Sequence, residues 1–279
     1  MAQRKKPKGR IKKGLAKGGG GASGSVMGVL LIVLCVGLIG GALWGSQFLA
    51  GKGRIDPETL CHAQGPSGVT VVLLDLTDPL SVTQQQRLRN HLDRDIAQAQ
   101  TDRLFSVGVV NEDAQEWGAL FARCKPATGK AANALYENAA IIADRYKAEF
   151  IQPLHAALER SLSVEEQNAS PIMEALQFLV AQTPHFPDTT VDRKLIIVSD
   201  MLQHSETLSF YRNQGWDHFA KSNGQARLAG NLSNVAIEIF RIPRHGRNIP
   251  AAGLVEDFWV RYFDKQGSRI PTQSSLGDL

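Results

Sequence analysis

The chain has 279 residues, 31 Lys+Arg against 27 Asp+Glu, and a formal net charge of +4; its three cysteines exclude a disulfide-dense mini-scaffold. Hydrophobic residues at 43% and charged residues at 21% exclude wholesale disorder, a collagen-like chain and a multi-span membrane protein. The charge is unevenly placed: residues 1–25 hold eight basic groups and no acid, residues 26–50 no charge at all, and the remainder a net −4. The basic balance therefore belongs to a tail, and nucleic-acid binding is not its expected role, since the tail has no interleaved aromatics.

Residues 1–25, Gly- and Lys-rich, are expected to be a disordered cytoplasmic tail. Residues 26–50 form an uncharged apolar run long enough, at ~1.5 Å per residue, to cross a ~30 Å hydrocarbon core. The run exceeds the ~7–15 residues of a cleaved signal, and bulky Trp44 and Phe48 spoil an A-x-A-like site. An uncleaved transmembrane signal anchor is the expectation. The eight basic residues on its near side against Lys52 and Arg54 beyond it put the N-terminus in the cytoplasm and the following chain outside, a bacterial inner-membrane and periplasmic setting. Gly37, Gly41 and Gly45, four apart, make a small-residue stripe suited to helix–helix packing and self-association.

Residues 51–67 read as a polar linker. Of the cysteines, Cys35 lies in the apolar run, whereas Cys61 and Cys124 both fall in the exported part, where a disulfide is permitted; two unrelated buried thiols are the open alternative.

Residues 68–265 alternate strand and helix patterns. Val69–Leu74 is a continuous apolar and β-branched run, as expected of a strand buried on both faces, and Leu104–Val110, Lys194–Ser199 and Val235–Arg241 are three more. Ser81 precedes a helix with Leu88, Leu92 and Ile96 on one face. A helical pattern covers 131–162, from Leu135 through Tyr146 to Leu158, with a kink expected at Pro153. Ser170 is placed to N-cap a further helix that begins at Pro171 and carries Ile172, Leu176, Leu179 and Val180. A last amphipathic helix carries Leu254, Phe258, Trp259, Tyr262 and Phe263, and residues 266–279 are expected to be a flexible end. The fold class is α/β, a doubly wound and largely parallel sheet preceded by one transmembrane helix. In such sheets ligands bind outside the carboxyl ends of the strands.

Two strands end in aspartate there, Asp75 and Asp200. Asp75 is followed at +2 by Thr77 and later by Ser81, a set of hard oxygen donors of the kind Mg2+ takes. Asp78 is either an additional ligand or, beside Pro79, a turn residue. His204 and Glu206 follow Asp200 in a polar loop and are expected to be solvated.

At these residues the chain resembles the von Willebrand factor A-like domains. Their metal-ion-dependent adhesion site uses an Asp-x-Ser-x-Ser loop after the first strand, a Thr from a second loop and an Asp after a later strand. Asp75 and Thr77 match the first two positions, Ser170 in SPIMEAL the second loop, and Asp200 in LIIVSDM the late aspartate. Pro79 stands where the family has serine, with Ser81 two residues on, and Met201 where glycine is common. The resemblance implies a protein-binding module, not an enzyme, with Mg2+ on Asp75, Thr77, Ser81, Ser170 and Asp200. A metal-free structural scaffold of an envelope complex is the alternative, in which both aspartates simply end strands and Ser170 simply caps a helix. A Mg2+-dependent phosphohydrolase of the haloacid-dehalogenase type lacks its second aspartate, because Thr77 occupies that position, and no G-x-S-x-G, H-E-x-x-H or Walker loop is present.

Overall fold

A computed structural model of the protein describes residues 22–77, 79–111, 118–129, 138–162, 167–222, 224, 228, 230–244 and 249–277, without the side chains of 22–27, 43 and 45–52. The basic tail, Asp78 and Leu135 lie outside the described residues. The chain divides into two compact units, residues 1–52 and 53–279.

In the first unit a single helix, α1 (Ala22–Lys52), runs through the uncharged stretch without a break. Its apolar side chains, Val29 to Ile39 and Trp44, are exposed. Among the described residues no helix is long and apolar enough to cross a membrane. A Cβ at Gly37 or Gly41 would meet nothing within 4 Å. Cys35 is exposed on α1.

The second unit is built on one sheet. Its strands are β1 (Gly68–Leu74), β2 (Arg103–Val109), β3 (Phe121–Cys124), β4 (Arg193–Ser199), β5 (Val235–Arg241) and β6 (Thr272–Ser275), in the order β3-β2-β1-β4-β5-β6. All pairings are parallel except β2 with β3. Central β1 is buried at every position, which explains its unbroken apolar sequence. Alternate residues feed opposite layers. Val69, Val71, Leu73, Leu195 and Ile197 pack with α5 (Ile172–Gln182), α6 (Trp216–Lys221) and α7 (Ala252–Lys265). Val72, Leu74, Ile196 and Val198 pack instead with α2 (Val82–Gln98) and α4 (Gln152–Leu162).

Four expectations change. Residues 272–275, expected to be a flexible end, pair as strand β6 along β5. The short edge strand β3 was not visible in the sequence; its outer side is occupied by the linker, since the Cys124 amide donates to the Thr59 carbonyl at 2.7 Å. The helix expected over 131–162 is described from Ala139 as α3 (Ala139–Tyr146), a π-turn (Lys147–Ile151) and α4. Pro153 falls in the turn immediately after the π segment, where the missing N–H is absorbed by the change of hydrogen-bond register. The fourth concerns Ser170: Pro171 occupies the N-cap position of α5, and the Ser170 hydroxyl is directed elsewhere.

The Cys61–Cys124 disulfide is formed, with Cα atoms 4.8 Å apart, and ties the linker to β3.

Candidate functional site

The strand order reverses direction at β1, between β2 on one side and β4 on the other. In a doubly wound sheet of order 3-2-1-4-5-6 this is the topological switch point, where a crevice opens beyond the carboxyl ends of the strands. Asp75 and Asp200 are the residues that follow β1 and β4 there. Parallel register pairs Leu74 with Val198, and the Asp75 amide donates to the Val198 carbonyl at 2.8 Å. This places Ser199 beside the Asp75 carboxylate.

Asp75 is only 2% exposed. Its Oδ1 accepts from the Thr77 hydroxyl at 2.9 Å and, less closely, from the Thr77 amide at 3.4 Å. Its Oδ2 accepts from Ser199 at 2.7 Å and from Ser170 at 3.1 Å. Burial, reinforced by the negative charge of Asp200, raises its pKa from 3.8 to about 6, against the opposing hydrogen bonds from Ser199 and Thr77. Hydroxyl dipoles stabilise the anion less than the lost water does.

Asp200 is engaged differently. One oxygen accepts from the Leu202 amide at 2.8 Å, and the other is paired with the Nε of Arg244 at 2.8 Å. The backbone turn at Met201 is left-handed, with φ of 65°, a conformation that favours glycine. It is held by the Met201 amide donating to the Ser199 hydroxyl and by the Trp259 indole donating to the Met201 carbonyl, at 2.7 and 2.8 Å. Fully buried Gln203 then links this loop to α5. Its carbonyl accepts from the Met173 amide at 2.9 Å, and its amide donates to Glu174 at the same distance.

Of the residues expected to converge, Asp75, Thr77 and Ser170 share direct hydrogen bonds, and Asp200 is close enough to act on Asp75 electrostatically. Ser170 donates to a carboxylate 95 positions earlier in the chain rather than capping α5, so the reading of it as a simple cap fails. Ser81 is the N-cap of α2: its hydroxyl accepts from the Gln84 amide, and its own amide donates to the Gln84 side chain in a reciprocal capping box. His204 does not stand free in solvent, since its Nδ1 lies 2.8 Å from the Ser209 hydroxyl and its backbone bridges to Ser170. Sequence reasoning missed Ser199, Gln203 and Arg244. Ser199 was the findable one, because a hydroxyl immediately before a strand-end aspartate lands next to the neighbouring strand's aspartate in parallel register.

Two other features were not anticipated. His91, Asp95 and Glu238 lie within 4.8 Å of one another on the α2 face, where Lys194 already supplies a cation, at 2.6 Å from Asp95 and 2.9 Å from Glu238. A cleft of about 680 Å³ lies beside the disulfide, lined by Ile55, Leu60, His62, Arg123, Ile142 and Tyr146 among others.

No family model matches the chain, and no curated protein does. Similar solved structures include the VWA domain of SpRpn10, 10% identical with a TM-score of 0.40 over 75% of this chain and 89% of that one. The conserved hypothetical protein BatB from Bacteroides thetaiotaomicron is 13% identical, with 0.37 over 75% and 90%. An aerotolerance-related membrane protein from Bacteroides fragilis is 12% identical, with 0.37 over 74% and 91%. The likeness is one of chain path and assigns no activity or partner.

Proposed function

We propose that the chain is a single-pass, membrane-anchored protein whose exported von Willebrand factor A-like module binds a protein partner at the carboxyl edge of β1 and β4. One observation carries the reading. Asp75 gathers the hydroxyls of Thr77, Ser170 and Ser199 at the switch point, drawing on three separate segments of the chain. Oxygen–oxygen separations of 2.7 to 3.1 Å match the ~3.0 Å between neighbouring ligands of an octahedral Mg2+ with bonds of ~2.1 Å. The oxygen donors around Asp75 are of the class that Mg2+ takes. In this reading Asp75, Thr77, Ser170 and Asp200 hold Mg2+, which when bound presents a coordination position to a partner's carboxylate. Ser81 joins them only by giving up its cap. In this reading the module binds and does not catalyse.

The test is capture of partner from native membranes by the wild-type chain and by Asp200→Asn, each with Mg2+ and with chelator. Loss of capture in chelator and in the variant, with native near-UV circular dichroism, is expected; capture unaffected by either sinks the reading. The anchor rests on the charge-free run at 26–50, the basic flank before it and the continuity of α1. Alkaline phosphatase fused after Leu279 should be active, and an inactive fusion with full expression refutes export.

The ion pair of Asp200 with Arg244 favours a second reading, a metal-free scaffold. That reading expects association unchanged by the aspartate substitutions but lost on disrupting α7.

A further inference from the structure

The two carboxylates at the switch point are treated unequally. Asp75 is surrounded by hydroxyls and an amide, groups that solvate an anion without neutralising it. Asp200 has a full positive charge against it, the Arg244 guanidinium, with Nε at 2.8 Å from Oδ2. Arg244 lies three residues beyond the end of β5, on the strand adjacent to β4, and the Ile242 amide donates to the Ser199 carbonyl at 2.9 Å. The chain leaving β5 is thus fastened to the β4 terminus just before Arg244.

We propose that Arg244 is the resident cation of this edge, and that a divalent metal reaches Asp200 only when the guanidinium leaves. This inference rests on the cation reading of the site given above. Its chemistry follows from what the donors can and cannot do. The hydroxyls of Thr77 and Ser170 rotate, so each can turn its proton away and offer a lone pair. A guanidinium has no lone pair to offer and stays protonated, so it cannot become a ligand and can only be displaced. The charges agree. Among the described residues at this edge, the two carboxylates and the guanidinium paired with Asp200 sum to −1. A divalent ion added to that set gives +1, whereas a divalent ion in place of Arg244 gives zero. Metal and Arg244 are therefore competitors for Asp200, and the arginine sets the metal concentration at which the edge becomes a carboxylate receptor.

The experiment uses the full chain in detergent micelles and Mn2+ as the probe, an octahedral oxygen-seeking ion whose free form is counted by electron paramagnetic resonance. Arg244→Gln should bind Mn2+ at least tenfold more tightly than wild type, whereas Arg244→Lys, which keeps the charge, should stay weak. Adding Asp200→Asn to Arg244→Gln should abolish the gain. Equal affinity in wild type and Arg244→Gln overturns the competition and leaves the metal site standing. No binding by a folded Arg244→Gln chain overturns both. A second measurement needs no variant: saturating Mn2+ should free Arg244 of the wild-type chain for modification by phenylglyoxal, mapped by mass spectrometry. Unchanged modification at saturation overturns the proposal.

Discussion

Asparagine at position 75 isolates the electrostatics of the site. The folded chain holds the Asp75 proton to about pH 6, against an ordinary carboxylate value of 3.8. Well below pH 3.8 the group is protonated in both states and contributes nothing. Between 4 and 6 the unfolded chain ionises while the folded chain keeps its proton, so stability falls as pH rises. Above 6 the whole penalty is present, a difference of about two pKa units at ~1.36 kcal/mol each, or about 3 kcal/mol. Asp75→Asn removes that charge and keeps the connections. The amide oxygen accepts from Thr77, and the amide hydrogens donate to Ser170 and Ser199, whose hydroxyls turn to receive them. Urea denaturation in chelator, followed by near-UV circular dichroism, should show the variant more stable than wild type by on the order of 2 kcal/mol at pH 8, after about 1 kcal/mol for poorer hydrogen bonds. At pH 4 little of that penalty remains, and the poorer hydrogen bonds should leave the variant the less stable chain by up to about 1 kcal/mol. A variant less stable at pH 8, or a difference that does not change between pH 4 and 8, refutes the reasoning.

Other substitutions test the supports of the site. Cys61→Ser opens a loop closed across 63 positions and should lower stability by about 4 kcal/mol on the chain-entropy account, read from the urea midpoint of the non-reduced protein. Arg193→Met should cost at least about 3 kcal/mol, because the buried guanidinium donates to the carbonyls of Phe186, Asn231 and Ser233, which the thioether leaves without it. Trp259→Phe removes the indole donor to Met201 and should lower stability by about 1–2 kcal/mol while speeding amide exchange at Leu202, next to Asp200.

How far the sequence reveals this molecule depends on where the stabilising energy lies. Strands β1 and β4 are legible because burial on both faces demands an unbroken apolar run, β5 because buried Val235, Ile237 and Ile239 alternate with more exposed positions, and the alternation of strand and helix then implies the doubly wound sheet. Strand β6 reads TQSS and is exposed at every position, so its backbone pairing to β5 leaves no hydropathy signal. At the site, Asp75 and Asp200 stand out as acids ending apolar strands. Ser170 misleads because a serine before Pro171 has the composition of a cap, while the direction of its hydroxyl is fixed by a carboxylate 95 residues away. Arg244 looks like one more solvated base in RIPRHGR until β5 is placed beside β4.

Asp75 poses a physical question that the fold alone does not answer. A neutral asparagine would satisfy the same three hydroxyls without the penalty of a buried charge, so the anion is not what holds the strand end in place. A buried carboxylate whose pKa is raised by burial and by a neighbouring negative charge is characteristic of sites that exchange protons or cations, although structural networks produce such shifts too. One variant separates the two origins. If Asp75 is only structural, Asp75→Asn changes stability and nothing else. If it belongs to a cation site, Asp75→Asn in the Arg244→Gln background should gain stability in chelator and lose the tightened Mn2+ binding, two effects of opposite sign from a single oxygen-for-nitrogen exchange. A doubly substituted chain that binds Mn2+ as tightly as Arg244→Gln alone would show that the charge of Asp75 serves no cation.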